Sequence, residues 1–275
     1  MSTDHDTAAR WRIPPRERIA LGKIDTSSTA GAPGGADATK QVTAMLLAKT
    51  QKIHERLRAE QKRSLLVVLQ GMDTGGKDGT IKHVFSGLNP EGLEVAYFKE
   101  PTYEDLAHDF LWRVHRRAPE RGHIGIFNRS HYEDVLVVRV HNLVPENVWR
   151  PRYEAIRDFE RTVTDEGTRI VKLMLHISKQ EQARRLRERL ADPEKRWKFD
   201  LNDVKERARW ADYMTAYEDA IAETSTDEAP WYVIPADAKW YRNWAVTTII
   251  AETLRDMNPA FPTPPDLSGV VIPDD

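Results

Sequence analysis

Ser64-Leu-Leu-Val-Val-Leu-Gln70-Gly71-Met-Asp-Thr-Gly-Gly76-Lys77 is the stretch on which the reading of this chain turns. Up to Gln70 it is short and almost wholly apolar, the pattern of a strand buried on both faces. Then comes Gly, four residues and Gly-Lys, followed by a helical pattern to Phe85. A phosphate-binding loop needs that context of strand before and helix after. Glycines let successive N–H groups turn inward to form an anion nest. The helix opening at Gly76 adds the positive end of its dipole, and Lys77 supplies a mobile point charge. The phosphate set predicted here is Gly71, Met72, Thr74, Gly75, Gly76, Lys77, Asp78, Gly79 and Thr80, with Lys82 further along the helix.

One position departs from the usual loop, which places a metal-binding Ser or Thr directly after the lysine. Here that residue is Asp78, while Asp73 lies inside the loop. An unneutralised carboxylate among phosphates would be repelled. A divalent cation between them removes the conflict, because Mg²⁺ prefers carboxylate, phosphate and water oxygens. Asp73 is therefore the expected Mg²⁺ ligand, with Mn²⁺ as the alternative ion. Asp78 and Thr80 are left to first-turn helix chemistry.

Outward from this loop, strands and helices alternate. A helix is expected from Ala38 to Gln61, then strands at 64–70, 93–98, 123–127, 168–177 and 231–234. Helices are expected at 76–85, 103–117, 148–165, 179–190, 201–223 and 239–257. Such alternation predicts a three-layer α/β fold, a five-stranded parallel sheet with helices on both faces. Ligands then sit beyond the carboxyl ends of the strands, where the glycine loop falls. Residues 1–38, with the small-residue run Asp25 to Gly35, are expected to form a flexible or draped arm. The domain carrying the phosphate loop is expected to span 39–259, with a lid over about 180–200 and a tail at 260–275.

Bulk properties narrow the classes. The 275 residues include no cysteine, which excludes disulfides, thiolate metal sites and a cysteine nucleophile. No apolar run reaches a membrane span, and Met1 to Arg18 lacks an apolar signal core; a cytoplasmic protein without membrane partners is expected. The net charge of -2 argues against a nucleic-acid coat, yet eight Lys or Arg lie against four acids between Lys179 and Lys198. Arg113, Arg116, Arg117 and Arg121 face Glu120 alone. Local basic stretches on a near-neutral chain suit a focused anion.

Asn128-Arg129-Ser130-His-Tyr-Glu133-Asp134 directly follows the third strand. Asn128 offers a neutral oxygen, Arg129 a bidentate phosphate contact, and Glu133 and Asp134 further acid. Ser130 also reads as a helix cap with Glu133 completing a capping box. Taken with the glycine loop, this segment, Arg184 to Trp197-Lys198-Phe199, and Ala229-Pro-Trp-Tyr-Val-Ile-Pro-Ala-Asp237 resemble the second family of polyphosphate kinases. The likeness runs from about Leu65 to Pro259.

That resemblance implies a thymidylate-kinase-like core, Mg²⁺ dependence, and reversible transfer of the terminal phosphoryl of inorganic polyphosphate to ADP or AMP. Guanine nucleotides are the alternative acceptors, and a homo-oligomer is implied. In the family's pattern the residue at Asp73 binds metal and that at Lys77 binds phosphate. Many members carry Asp where this chain has Asn128, so the metal set is Asp73 with Asn128 or Asp134. Arg185 and Arg189, one turn apart on one helix face, are implied as lid ligands that neutralise the transferring phosphoryl, with Lys198 beside them. Lys99, Arg113, Arg117 and His131 are candidates for the polyphosphate track; the remaining histidines form no metal set. Two other readings use the same parts: an ATP-dependent nucleotide kinase of thymidylate-kinase type, and a non-enzymatic nucleotide-binding regulator. The second is disfavoured by the lack of an Asn-Lys-x-Asp motif.

Overall fold

The computed structural model describes residues 7–272; residues 1–6 of the expected arm and 273–275 of the expected tail lie outside the described residues. In chain order, β1 (Arg12–Ile13) is followed by α1 (Ala36–Glu60), β2 (Ser64–Gln70), α2 (Lys77–Phe85) and β3 (Leu93–Tyr97). Two single turns, α3 (Tyr103–Leu106) and α4 (Trp112–His115), precede β4 (Ile124–Asn128). Then come α5 (Val137–Val140), α6 (Glu146–Trp149), α7 (Arg152–Asp165) and β5 (Thr168–His176). Helices α8 (Lys179–Ala191), α9 (Leu201–Ala208) and α10 (Trp210–Thr224) lead to β6 (Trp231–Pro235) and α11 (Lys239–Met257).

The sheet order is β1-β6-β5-β2-β4-β3. Five strands are parallel, as the alternation predicts, but there are six strands: β1 pairs antiparallel with β6, Arg12 opposite Tyr232. The expected five-stranded sheet is thus corrected by a two-residue strand from the supposed arm. Two residues give no alternation to read, so β1 exists only through its partner. Trp11 and Leu21 anchor the same segment in the interior. Trp11 meets Trp244 edge-to-face at 5.3 Å between centroids, and its indole N–H donates to the Tyr241 hydroxyl.

Strand β2 lies at the centre, between β4 and β5, and every residue of it is buried. Alternate residues feed two cores. Leu65, Val67 and Leu69 pack with α11 on one face; Leu66 and Val68 pack with the aromatics of β4, α7 and α10 on the other. Three expected helices are broken. Asp109 caps the Leu111 N–H and divides 103–117. Pro151 at the head of α7 separates it from α6. Arg209, outside helical geometry, splits 201–223 into α9 and α10.

Candidate active site

At the carboxyl end of β2 the chain turns through Gly71 (φ +147°), Thr74 (φ +60°) and Gly76 (φ +104°). A Cβ at Gly71 would lie 2.7 Å from the Leu175 carbonyl oxygen on β5, and one at Gly76 would lie 1.9 Å from a guanidinium nitrogen of Arg242. Close approach and positive φ together demand glycine at both. The Gly71 N–H donates to the Tyr217 hydroxyl at 3.2 Å, and the Gly75 N–H donates to the Met72 carbonyl at 2.9 Å. Lys77, first residue of α2, folds back so that Nζ donates to the carbonyls of Gly71 at 2.7 Å and Met72 at 3.3 Å. Burial, with Arg129 nearby, pulls its pKa down to about 8 against the pull of Asp73, Glu133 and Asp78. An anion beside the amine would reverse that shift, so the loop is poised to take one. The Thr74 and Thr80 hydroxyls are buried and have no hydrogen-bond partner among the described residues.

The segment after β4 closes on this loop. The Arg129 N–H continues the ladder to the Leu69 carbonyl at 3.0 Å. Its guanidinium spans Asp73 at 2.5 Å and Glu133 at 2.9 Å, and Glu133 above all holds it firmly protonated. Arg129 itself sits at φ +62°, a strain of roughly 1 to 2 kcal/mol that its two carboxylates overdetermine. Asn128 donates from Nδ2 to Asp78 at 2.8 Å. Ser130 caps the Tyr132 N–H and accepts from Gln70, but it opens a 3-10 turn and Glu133 serves Arg129 instead of a capping box.

The lid approaches from α8. Gln182 donates to the Asp73 carbonyl at 3.1 Å. Arg185 is buried, with one Nη on the Thr74 carbonyl at 2.9 Å and the other on Ala236 at 2.6 Å and Asp237 at 3.1 Å. Arg189 instead pairs with Asp203 at 3.3 Å, so the two arginines serve different contacts. Asp203 is pushed up to about 6 by burial and then by Asp73, which places a further acid in the field of the loop. Lys198 lies 3.9 Å from Asp78.

Several predicted residues are not brought to the loop. Asp134 is held by Arg152 at 3.1 Å and Arg113 at 3.8 Å, and burial pushes it up to about 6. It is committed to those arginines, and Glu133 is the acid that shares Arg129 with Asp73. His131 is fully buried, Nε2 lying 3.3 Å from Glu160; it does not face a phosphate track, because a period-3.6 reading cannot foresee the 3-10 turn that rotates it inward. Arg113 donates to the Lys99 carbonyl at 2.9 Å, while the Lys99, Arg117 and Lys82 side chains are exposed. Conversely, Gln182, Tyr217, Asp203 and Arg242 escaped the sequence reading. None belongs to a motif, and only Gln182, three residues before Arg185, sits where a signal could have been sought.

Magnesium fits this donor set. The donors are the Asp73 carboxylate, here shared with Arg129, and the unpartnered hydroxyl of the next residue, Thr74; no group of three or more acids or histidines placed to hold a metal occurs among the described residues. An ion held by one or two carboxylates and otherwise by phosphate and water needs no such cage.

Comparison with known proteins agrees with this geometry. A family model described as polyphosphate kinase 2 matches residues 35–262. An "AMP/ADP-polyphosphate phosphotransferase" of Meiothermus ruber is 52% identical over 263 residues, covering 96% of this chain and 98% of that protein. An "ADP-polyphosphate phosphotransferase" of Rhodopseudomonas palustris is 46% identical, covering 76% of this chain and 77% of the relative. The crystal structure of a polyphosphate kinase 2 from Arthrobacter aurescens superposes with a TM-score of 0.91 at 41% identity, covering 95% of this chain and 93% of that one.

Proposed function

Because the chain belongs to the polyphosphate kinase 2 family, we propose that it transfers the terminal phosphoryl group of inorganic polyphosphate, reversibly, to AMP and ADP. The observation that carries the reading is the junction of β2, β4 and α2: a glycine nest with a buried amine, closed by Arg129 between two carboxylates. The core is taken as a P-loop kinase fold of thymidylate-kinase type, since strand, loop and helix follow one another at the switch between β4 and β5. A cysteine-free enzyme acting on nucleotides is proposed to work in the cytoplasm.

Each residue then has a task. The amides of 71–76 and the Lys77 ammonium hold phosphate oxygens, and Lys77 exchanges its carbonyl bonds for them. Asp73, freed from Arg129, would hold Mg²⁺, which supplies charge neutralisation between phosphates when bound. Arg129 swings from carboxylate to phosphoryl oxygens, its fork geometry suiting either. Arg189, half-buried against Asp203, and the exposed Lys198 close over the chain. No general base is required, because a nucleotide phosphate is already an ionised nucleophile; catalysis is positioning and electrostatics.

The test compares donors. Purified protein with Mg²⁺ is offered AMP or ADP with polyphosphate, and dTMP with ATP. ADP or ATP formation with polyphosphate, stopped by EDTA and restored by Mg²⁺, is expected. Turnover with ATP alone would make it an ordinary nucleotide kinase, and nucleotide binding without transfer would make it a regulator.

A further inference from the structure

Arg242, on the first turns of α11, is 2% exposed, yet among the described residues its guanidinium donates only to the amide oxygen of its neighbour Asn243, at 2.8 and 3.2 Å. Among the described residues no carboxylate pairs with it. Burial and the adjacent Arg185 together depress its pKa to about 10, and no acid counters them. A buried guanidinium without an anion is an expensive arrangement.

Its surroundings make the imbalance greater. The guanidinium lies against the loop: a Cβ on Gly76 would meet Arg242 Nη1 at 1.9 Å and Arg185 Nη1 at 3.6 Å, and one on Gly79 would meet Arg242 Nη2 at 3.4 Å. Helix α11 opens here with no side-chain cap and no acid in its first turn, but with Lys239. Cations at a helix N-terminus oppose its dipole. Lys239 is itself lowered by burial and by Arg185, Arg184 and Arg242. The N-terminus of α2, capped by Gly76, points into the same corner. Glu181 and Glu188 balance Arg185 and Arg184, leaving Arg242 and Lys239 in excess. Two helix starts and clustered cations with one buried guanidinium unmatched describe a seat for an anion.

We propose that Arg242, with Arg185 beside it, forms a second phosphoryl seat at the corner of α2, α8 and α11, taking a phosphate of the substrate other than the one gripped by Lys77. This rests on the phosphotransferase reading. The phosphate can belong to the polyphosphate chain or to the nucleotide, and kinetics separates the two.

The experiment uses Arg242→Met, which keeps the buried volume without the charge, and Arg242→Lys, which keeps charge without the fork. KM is measured for polyphosphate at saturating ADP and for ADP at saturating polyphosphate, alongside melting with and without tripolyphosphate. Losing a charge-assisted contact is expected to raise one KM about ten- to a hundredfold in Arg242→Met, with Arg242→Lys between. A rise for polyphosphate assigns the seat to the chain, and a rise for ADP assigns it to the nucleotide. Arg242→Met should melt no lower than wild type without ligand and, where the seat takes the chain, show a smaller tripolyphosphate-induced rise. Unchanged KM values with that rise intact would overturn the proposal, as would a variant whose one defect is a lower melting temperature without ligand. Should Arg242→Met fail to fold, unchanged KM values in Arg242→Lys overturn it equally. If wild type fails to use polyphosphate at all, the functional reading falls, while the Arg242-dependent tripolyphosphate shift still decides this one.

Discussion

Replacing Glu160 by Gln tests how the loop carrying Arg129 is held. Glu160 and Lys172 are fully buried, 2.6 Å apart. The three ammonium donors of Lys172 are satisfied by Glu160, the Thr224 carbonyl at 2.7 Å and the Tyr132 hydroxyl at 3.1 Å. Tyr132 in turn donates to Glu160 at 2.8 Å, three residues beyond Arg129. Burial alone would raise the Glu160 carboxyl, but Lys172 and His131 bring it below its ordinary value. Glu160→Gln leaves the ammonium without its counter-charge, a loss of about 3 to 5 kcal/mol against a total stability of roughly 5 to 15 kcal/mol. With a urea slope near the upper end of the usual range, the midpoint should fall by roughly 1 to 2 M. Removing both charges as Glu160→Leu with Lys172→Met should recover most of the loss, because no uncompensated charge remains. Because the folded carboxyl is depressed, its contribution is present above pH 4.5 and lost as pH falls through the folded value. A Glu160→Gln midpoint equal to wild type, or a double variant weaker than either single one, would refute the reasoning.

Lys77→Ala should abolish transfer while the protein melts at or above the wild-type temperature, since the fall of the amine from 10.5 to about 8 corresponds to about 3 kcal/mol of unfavourable charging; retained turnover would contradict the role. His54, His131 and His176 are all lowered by burial, so the unfolded chain takes up protons first as pH falls below 6.5. Stability should therefore decline between about pH 6.5 and 5, by up to roughly 1.4 kcal/mol per pH unit for each proton, and a flat melting profile there would count against it. Gly71→Ala drives a Cβ to 2.7 Å from the Leu175 carbonyl at φ +147° and should cost about 1 to 3 kcal/mol with a raised polyphosphate KM, measured by melting and initial rates; wild-type behaviour would mean the turn is not as tight as described.

Local periodicity carried much of this protein. Ser64–Gln70 and Lys239–Met257 are read from the sequence with the bounds they have in three dimensions, because a buried strand and a long helix announce themselves by residue type alone. The glycine loop is legible for the same reason: its spacing is set by a turn that only glycine can make at 71 and 76. Asp73 and Arg129 could each be suspected, but their mutual ion pair joins positions 56 apart. Tertiary structure alone decided what depends on partners distant in sequence. It made a strand of Arg12–Ile13, gave Asp134 to Arg152 and Arg113, and drew His131 behind the sheet to Glu160. It also set Arg242 against Gly76, although the sequence presents it as one polar residue on a closing helix. Sequence determines which backbone shapes are cheap; the meeting of charges is fixed by packing, where removal from water makes each side chain depend on the partner that the fold brings to it.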